Sequence, residues 1–332
     1  MRILMVCMQH DYGDPARGYS YEYWNFAQSL QNMGHEVLWF DYMAQMKAMG
    51  RDAMNAALVE AARSSRPDLA IFSLYTDQLS EAAVDQVRQF TKTFCFFHDD
   101  TWRVDFSRHW AAHFDYFSSS DFDAIHKYRQ LGLPNVVHMP FGINQHLYHP
   151  IENRSPEFDV SFVGGWHPVR AWLIQRLQKA GFKVAVFGHR WPGGMVSQEE
   201  MVRIFNVSAI NLNLSNSTTW DMRYLFSSPK AFAMHFKTQK VVEQIKARHF
   251  EINACNAFQL SYYVEGLERC YTIGEEIAVF NSPDELISKV DFYLSKPELR
   301  QQMAQAGYSR TMQDHTYAQR FNLLFQRMGI AA

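Results

Sequence analysis

The chain has 332 residues, with 32 lysines and arginines against 34 aspartates and glutamates, so its formal net charge is -2. This length predicts two domains of about 150 residues each, and each is long enough to bury its own core. A hydrophobic fraction of 47% and a charged fraction of 20% exclude a disordered chain. The near-neutral balance argues against a dedicated nucleic-acid-binding protein, because such proteins usually carry a basic excess.

Four cysteines, Cys7, Cys95, Cys255 and Cys270, are scattered without C-x-x-C spacing. This distribution is typical of buried thiols in a reducing compartment and not of disulfides or a zinc site. The apolar run at residues 3–8 is too short for a secretory segment, and no later stretch reaches the roughly 18 apolar residues of a membrane span. We therefore expect a soluble, cytoplasmic protein without a transmembrane segment.

The first half of the chain alternates short apolar runs with helical segments. The predicted strands are ILMVCM (3–8), EVLWFD (36–41), LAIFSLY (69–75), TFCFFHDD (93–100), DYFSSS (115–120) and NVVHMPFG (135–142), and the predicted helices span 21–33, 52–64, 81–90 and 121–130. Strands that alternate with helices of about a dozen residues indicate βαβ units and a Rossmann-like parallel sheet.

A polar segment with two prolines, HPIENRSPE, interrupts the alternation around residues 150–157 and is predicted to be a linker. The alternation then resumes, with strands predicted at 158–165, 183–189 and 209–215 and helices at 169–180 and 198–205. Residues 232–245 are ambiguous, a helix is predicted to start over 250–256, and residues 283–328 are mostly helical with a break near Lys296-Pro297. The pattern predicts a second Rossmann-like domain.

Neither half carries G-x-G-x-x-G after its first strand, which disfavours a dinucleotide-dependent dehydrogenase. The second half instead has Gly164-Gly165 at the end of a predicted strand, with Arg170 entering the next helix. These residues could form an anion-binding turn, or an ordinary tight turn between strand and helix.

The segment EQIKARHFEINAC, at residues 243–255, is rich in charge. Glu243 and Glu251 are separated by seven residues, and Lys246 and Arg248 lie between them, ahead of the predicted helix. Two cations suit a diphosphate, and a carboxylate beyond them suits ribose hydroxyls. The alternative is a charged face in contact with solvent.

His98, Asp99 and Asp100 follow one another at the end of the fourth predicted strand. The triplet suggests a metal site, but neighbouring side chains of an extended segment diverge. We therefore predict no metal site here, and a single histidine in this position could simply be structural.

Several strings follow one another along most of the chain in the order of a known family, and the most specific is K-x-R-x-F-E-x-x-A-C at residues 246–255. The others are NMGHEVLWFD, FDYFSSSDFDAIHKYRQLGLPNVVHMPFGINQHLYHP, FDVSFVGGWHPVR, VAVFGHRW, AINLNLS, IGEEIAVFNSPDELISKVDFYLSKPELRQQMAQAG and DHTYAQRF. Together they resemble the GT-B glycosyltransferases of group 1 type, in particular the CgeB-like (spore-maturation-protein type) group.

The resemblance implies an α/β protein of GT-B architecture, with two Rossmann-like domains and an interdomain cleft. Residues 1–150 would form the acceptor-side domain and residues 158–310 the nucleotide-sugar donor domain. The C-terminal segment, residues 311–332, would form a helix that returns to the N-terminal domain.

The resemblance also implies roles for four residues of the charged segment. Glu251 matches the carboxylate that holds the donor ribose, and Glu243 matches the first glutamate of the E-x7-E pattern, near the donor sugar. Lys246 and Arg248 match the side of the donor diphosphate. The family's catalytic and ribose-binding carboxylates would thus both come from this segment.

Further positions follow from the same resemblance. His98 falls where related enzymes place a histidine facing the donor sugar, and Gly188 to Trp191 would lie near the base. Two features depart from the family: Asn256 replaces the glycine after Ala-Cys, and the segment 216–245 is long.

The leading prediction is a glycosyltransferase that moves a sugar from a nucleotide-sugar co-substrate to a glycan, lipid, protein or small-molecule acceptor. We expect retention of the anomeric configuration, no further cofactor and no metal ion. Two alternatives stay open: a catalytically silent nucleotide-sugar-binding protein of the same fold, and a Rossmann-type epimerase or dehydrogenase, which the missing glycine fingerprint disfavours.

Overall fold

The computed structural model describes residues 1–152, 154–217, 219–238, 240 and 242–330, so residue 153 of the predicted linker and residues 218, 239 and 241 of the long segment lie outside the described residues. The chain divides into two units. The first comprises Met1–Asn144 and the chain from Tyr317 onward, and the second comprises Gln145–Thr316. The predicted linker at 150–157 and the domain boundary predicted at 311 thus fall inside the second unit.

A six-stranded parallel sheet forms the centre of the first unit, with the strand order β2-β1-β3-β4-β5-β6. Its strands are β1 (Arg2–Val6), β2 (Glu36–Phe40), β3 (Leu69–Phe72), β4 (Lys92–Cys95), β5 (Tyr116–Ser119) and β6 (Val136–His138). Apart from Arg2, β1 is buried throughout, as expected of a strand covered on both faces.

The helices of the first unit cover this sheet. They are α1 (Gln28–Asn32), α2 (Tyr42–Met49), α3 (Arg51–Ser65), α4 (Glu81–Val87), α5 (Val104–Ala111), α6 (Ala124–Gln130) and α14 (Tyr317–Met328). Asp41 was predicted to end a strand, but its carboxylate accepts the backbone N–H groups of Met43 and Ala44 and begins α2. Helices α2 and α5 were not predicted.

The predicted helix at 21–33 begins with a π-helical segment, Glu22–Ala27, that continues into α1. Such wide turns are rare and frequently lie at functional sites. This one brings Glu22 into the buried interior of the first unit.

Helix α14, the last of the described chain, packs within the first unit. Its Tyr317, Phe321 and Phe325 are fully buried, and the ring of Phe26 lies 4.9 Å from Tyr317 and 5.7 Å from Phe321. Burying each such side chain stabilises the fold by about 1.5–3 kcal/mol. Helix α14 therefore contributes to the core of the first unit.

The second unit contains a five-stranded parallel sheet with the order β11-β10-β9-β7-β8. Its strands are β7 (Phe158–Val163), β8 (Val184–Phe187), β9 (Ser208–Asn213), β10 (Gln259–Tyr262) and β11 (Ala278–Phe280). The chain leaves β7 to one side to form β8 and then crosses to the other side to form β9. The gap between the carboxyl ends of β7 and β9 is thus a topological switch point.

Helices also cover the second sheet. They are α7 (Pro168–Lys179), α8 (Gln198–Asn206), α9 (Met222–Leu225), α10 (Pro229–Lys237), α11 (Arg248–Ala254), α12 (Pro283–Leu294) and α13 (Pro297–Asp314). The helix predicted over 250–256 begins earlier, at Arg248. The predicted break at Lys296-Pro297 is confirmed, because Pro297 starts α13 at a position that needs no N–H donor.

All four cysteines are free and buried. Within the described ranges, the helices are too short or too polar to cross a membrane.

Candidate functional site

Arg170 lies across the switch point of the second sheet. Its Nε donates to the carbonyl oxygens of Leu214, at 3.0 Å, and Ser215, at 3.2 Å, and its Nη1 donates to that of Gly165, at 2.8 Å. Gly165 belongs to the loop after β7, and Leu214 and Ser215 follow β9. Arg170 therefore joins the two loops between which open α/β sheets bind their ligands.

Charged side chains of both signs surround Arg170. The pKa of Arg170 is lowered to about 10, mainly by burial and also by the charge of Arg248, while the charge of Glu243 opposes both effects. The pKa of His167 is also lowered, to about 4, by burial first and then by the charges of Arg170 and Lys240. Several predicted donor-site residues are thus close enough to interact electrostatically. The resulting concentration of positive charge beside the Gly164-Gly165 loop is suited to an anion.

Glu243 lies in a surface recess of the second unit. Its carboxylate accepts a hydrogen bond from the hydroxyl of Ser217, and the same recess is lined by Trp172 and Tyr262. Burial raises the pKa of Tyr262, and the negative charge of Glu243 raises it further. Despite the long segment before it, Glu243 lies near Arg170 and the end of β10.

Glu251, in the first turn of α11, is only 4% exposed. Its Oε1 accepts from the hydroxyl of Tyr148 at 2.7 Å, and its Oε2 accepts from Nη1 of Arg248 at 2.5 Å. Both carboxylate oxygens are therefore engaged by protein groups in this structure. The Arg248 side chain is more accessible, with 24% of its surface exposed. The remaining predicted cation, Lys246, lies just before α11, where its backbone N–H donates to Nδ1 of His249 at 3.1 Å.

Gly188 supports the Gly164-Gly165 loop from the side of β8. Its φ is +124°, and a Cβ at this position would lie only 2.2 Å from the carbonyl oxygen of Gly164. Only glycine permits such an approach in that conformation. Trp191 packs inward, with its ring 5.9 Å from that of Phe162, and its buried Nε1 has no hydrogen-bond partner among the described residues. These two residues, predicted near the base, thus contact the loop and core of the second unit.

His98 belongs to a separate polar cluster in the first unit. Its Nε2 lies 2.8 Å from Oε1 of Glu22, which also accepts the hydroxyl of Ser73 at 2.6 Å. Burial raises the pKa of Glu22, but the charge of His98 and the hydrogen bonds from His98 and Ser73 outweigh burial, so that this pKa is lowered overall. The aromatic rings of Phe96, Tyr21 and Phe141 lie 5.0, 5.7 and 5.5 Å from the imidazole.

The side chains of His98 and Asp100 turn to different partners. Whereas His98 faces Glu22, Asp100 is buried and accepts hydrogen bonds from the hydroxyls of Ser119 and Ser120. Burial raises the pKa of Asp100 to about 6, although these hydrogen bonds oppose the rise. The two side chains do not converge on one point.

Reasoning from sequence missed several residues of both clusters. They include Glu22 and Ser73 around His98, Tyr148 beside Glu251, and Ser217 and Tyr262 beside Glu243. Each meets its partner across 19 to 103 positions of the chain, and no spacing pattern in the sequence marks these pairs. The sequence marks Glu22 only as an acidic residue near the start of the predicted helix at 21–33.

Two units, each with its own parallel sheet and flanking helices, define the GT-B class of fold, and known structures share it over nearly the whole chain. Sucrose-phosphate synthase from Thermosynechococcus elongatus has a TM-score of 0.64 at 12% identity, with 99% of each chain covered. HepE from Anabaena, in its crystal structure with UDP-glucose, has a TM-score of 0.64 at 11% identity, with 99% of each chain covered. The predicted fold class is confirmed.

Sequence matches point to a particular group of GT-B proteins. Residues 170–326 match a family model described as glycosyl transferase-like. The spore protein CgeB of Bacillus subtilis (strain 168) is 25% identical in an alignment 208 residues long that covers 57% of this chain and 60% of CgeB. The resemblance to CgeB-like GT-B glycosyltransferases that was predicted from the sequence is confirmed by these matches.

Proposed function

We propose that the protein is a glycosyltransferase that moves a sugar from a nucleotide-sugar donor to an acceptor. The observation that carries the proposal is the position of Arg170, Arg248 and Glu243 around the switch point of the second sheet. Fixed cations at this point suit the diphosphate of the donor, and the nearby carboxylate suits the sugar. HepE, which shares the fold, was crystallised with UDP-glucose, so UDP-glucose is the first donor to test.

Stabilisation of the departing diphosphate is the main contribution proposed for the second unit. As the bond to the sugar breaks, negative charge grows on the diphosphate, and Arg170, Arg248 and Lys246 would stabilise it together with backbone N–H groups of the Gly164-Gly165 loop. With these groups around the diphosphate when the bond breaks, the proposed reaction needs no divalent metal ion. Glu243 would contact the donor sugar, and retention of configuration is proposed from its E-x7-E spacing with Glu251.

Binding of the donor is proposed to change the partners of Glu251. In this structure the Arg248 side chain donates to Glu251. When the Arg248 side chain turns to the diphosphate instead, one carboxylate oxygen of Glu251 would become available to the ribose hydroxyls. Tyr148 would keep the other oxygen in place. Gly188 and Trp191 would not contact the donor diphosphate directly. Gly188 would support the Gly164-Gly165 loop, and Trp191 would support the part of the second unit next to the base.

His98 is proposed to face the donor sugar, and Glu22 is proposed as its positioning residue. The 2.8 Å contact between Nε2 of His98 and the buried carboxylate of Glu22 fixes the direction of the imidazole. His98→Ala should lower kcat without weakening the binding of UDP alone. Glu22→Gln, which keeps a hydrogen-bond partner, should lower kcat less than Glu22→Ala, with KM for the donor little changed.

A donor-binding assay tests the proposal directly. A thermal-shift screen with UDP-, GDP-, ADP- and TDP-sugars should identify one base, because a ligand at 100 times its Kd stabilises a protein by about 2.7 kcal/mol. For that donor, Arg248→Ala should weaken binding measured by calorimetry by about ten- to a hundredfold. Arg203→Ala is the matched control, since Arg203 pairs with Glu200 and Glu157 on the surface.

The reaction itself distinguishes the alternatives. A glycosyltransferase should hydrolyse its donor slowly without acceptor, which can be followed as release of the nucleotide diphosphate. Tight donor binding with no hydrolysis would indicate a catalytically silent binding protein. Binding of a nicotinamide cofactor in place of any nucleotide-sugar would indicate the epimerase or dehydrogenase alternative.

The four free, buried cysteines support the proposal that the protein works in the cytoplasm or another reducing compartment.

A further inference from the structure

We propose that Glu81, Asp85, His109 and His113 form a binding site for a divalent transition-metal ion on the surface of the first unit, with Zn²⁺ as the best-fitting ion. Glu81 and Asp85 are one turn apart on α4. His109 lies on α5, and His113 follows one turn later, just beyond the end of that helix. Residues four apart share a helix face, so each element offers two side chains to the other.

The four side chains already meet in two pairs. Nε2 of His109 lies 2.7 Å from Oε1 of Glu81, and Nδ1 of His113 lies 3.1 Å from both carboxylate oxygens of Asp85. One ligand atom each from Glu81, His109 and His113 lies within 4.8 Å of the others. A tetrahedral Zn²⁺ with bonds of about 2.0–2.1 Å places its ligand atoms about 3.3 Å from one another. The ligand atoms of Glu81, His109 and His113 therefore need to move by about 1–2 Å. Asp85, which contacts His113, would turn toward them to supply the fourth ligand.

Exposure of these side chains makes such a movement easy. The exposed fractions are 51% for Glu81, 48% for Asp85, 54% for His109 and 25% for His113. Glu81 and His109 also line a recess with Arg103 and Trp110, which leaves the pair open to small solutes.

The donor set selects the kind of ion. Two imidazole nitrogens with two carboxylate oxygens suit Zn²⁺ and its neighbours in the first transition series, whereas Mg²⁺ and Ca²⁺ prefer oxygen ligands alone. Each imidazole nitrogen that now faces a carboxylate would lose its hydrogen and bind the ion through its lone pair. Arg88 is a neighbouring cation, with Nη1 4.0 Å from Oδ1 of Asp85, but its Nη2 is held by Asp115 at 3.0 Å.

An ion at this position would tie α4 to the end of α5. None of the four residues belongs to the donor site proposed above, so the inference does not depend on the proposed reaction. The role assigned to the ion is to hold two surface helices together, and it takes no part in the chemistry.

Calorimetry with ZnCl₂ on the chelator-treated full chain tests this inference. The wild type should bind one Zn²⁺ at this site, and His109→Ala, His113→Ala and Asp85→Asn should each weaken that binding by at least about tenfold. His126→Ala is the matched control, because His126 is an exposed helical histidine of the same unit that pairs with Gln130 and not with a carboxylate. The control should bind like the wild type.

A second measurement separates loss of the site from loss of the fold. Without metal, His109→Ala and Asp85→Asn should keep the wild-type melting temperature, since about half of each side chain is exposed, and His113→Ala, whose side chain is 25% exposed, should lose only a little stability. With Zn²⁺, only the wild type and the His126→Ala control should gain thermal stability. If the three ligand variants bind Zn²⁺ as tightly as the wild type, or if the wild type binds none at micromolar concentration, the four residues form two separate surface pairs and the inference is wrong.

Discussion

Gly188→Ala should destabilise the second unit and disturb the loop that is proposed to bind the donor diphosphate. The new Cβ would lie 2.2 Å from the carbonyl oxygen of Gly164 and 2.7 Å from its carbonyl carbon. Both are backbone atoms, so no side-chain rotation relieves the contact. Overpacking of this kind costs about 1–3 kcal/mol, and a φ of +124° adds about 1–3 kcal/mol for a residue with a Cβ. We expect a loss of about 2–6 kcal/mol in the free energy of unfolding.

Differential scanning calorimetry of the full chain measures this loss. In a unit of this size each kcal/mol lowers Tm by about 2–4 °C, so Gly188→Ala should lower the Tm of the second unit by about 4–24 °C. Gly165→Ala is the matched control, since a Cβ there meets nothing within 4 Å. Affinity for UDP-glucose should fall with Gly188→Ala as the loop shifts. Equal melting temperatures for the two variants would refute the close approach of Gly188 to Gly164.

Three further predictions concern Glu251, Asp100 and metal dependence. Glu251→Ala should lower nucleotide affinity about ten- to a hundredfold by calorimetry, and it should also cost about 3–5 kcal/mol of stability because Arg248 and Tyr148 lose a buried partner; unchanged affinity would contradict the assigned role. The pKa of Asp100 is about 6 in the folded state, above its unfolded value, so the folded protein keeps this proton to a higher pH than the unfolded chain does. The free energy of unfolding should therefore fall by about 3 kcal/mol as the pH rises from about 4 to 6. Asp100→Asn should remove this fall from melting curves recorded between pH 4 and 8, and the same pH dependence in variant and wild type would contradict the raised pKa. Transfer should survive excess EDTA, and loss of activity with rescue by Mn²⁺ would mean that the cations of the second unit are not sufficient.

The parallel sheets were predictable because their signals are local. A strand covered on both faces must be apolar along its length, and residues 3–8 and 69–72 satisfy that requirement without reference to any other part of the chain. Glycines and prolines likewise end helices through their own backbone properties, as Pro297 does.

Helix α2 shows where local signals fail. The apolar run of β2 leads directly into Asp41, and an aspartate can either follow a strand or cap a helix. Only the folded chain, in which its carboxylate accepts two backbone N–H groups, decides between the two.

The two polar clusters could be predicted only in part, because their pairs join distant segments. His98 was identified through the family resemblance, but its partner Glu22 lies 76 positions away. Glu251 was identified in the same way, yet the contact with Tyr148 spans 103 positions. The charged segment at 243–255 was therefore recognised from sequence. That Arg248 and Tyr148 donate to the two carboxylate oxygens of Glu251 is visible only in the folded structure.

The order of synthesis bears on how the first unit is completed. Residues 145–316 leave the ribosome before helix α14, so the second unit can fold while the first still lacks its last helix. At about 5–20 residues per second, this interval lasts on the order of ten to thirty seconds. During that time the apolar surface that Tyr317, Phe321 and Phe325 later cover is open to solvent and to other nascent chains. Translation that stops before Tyr317 should therefore give a product that depends on chaperones and aggregates, even though its second unit is whole.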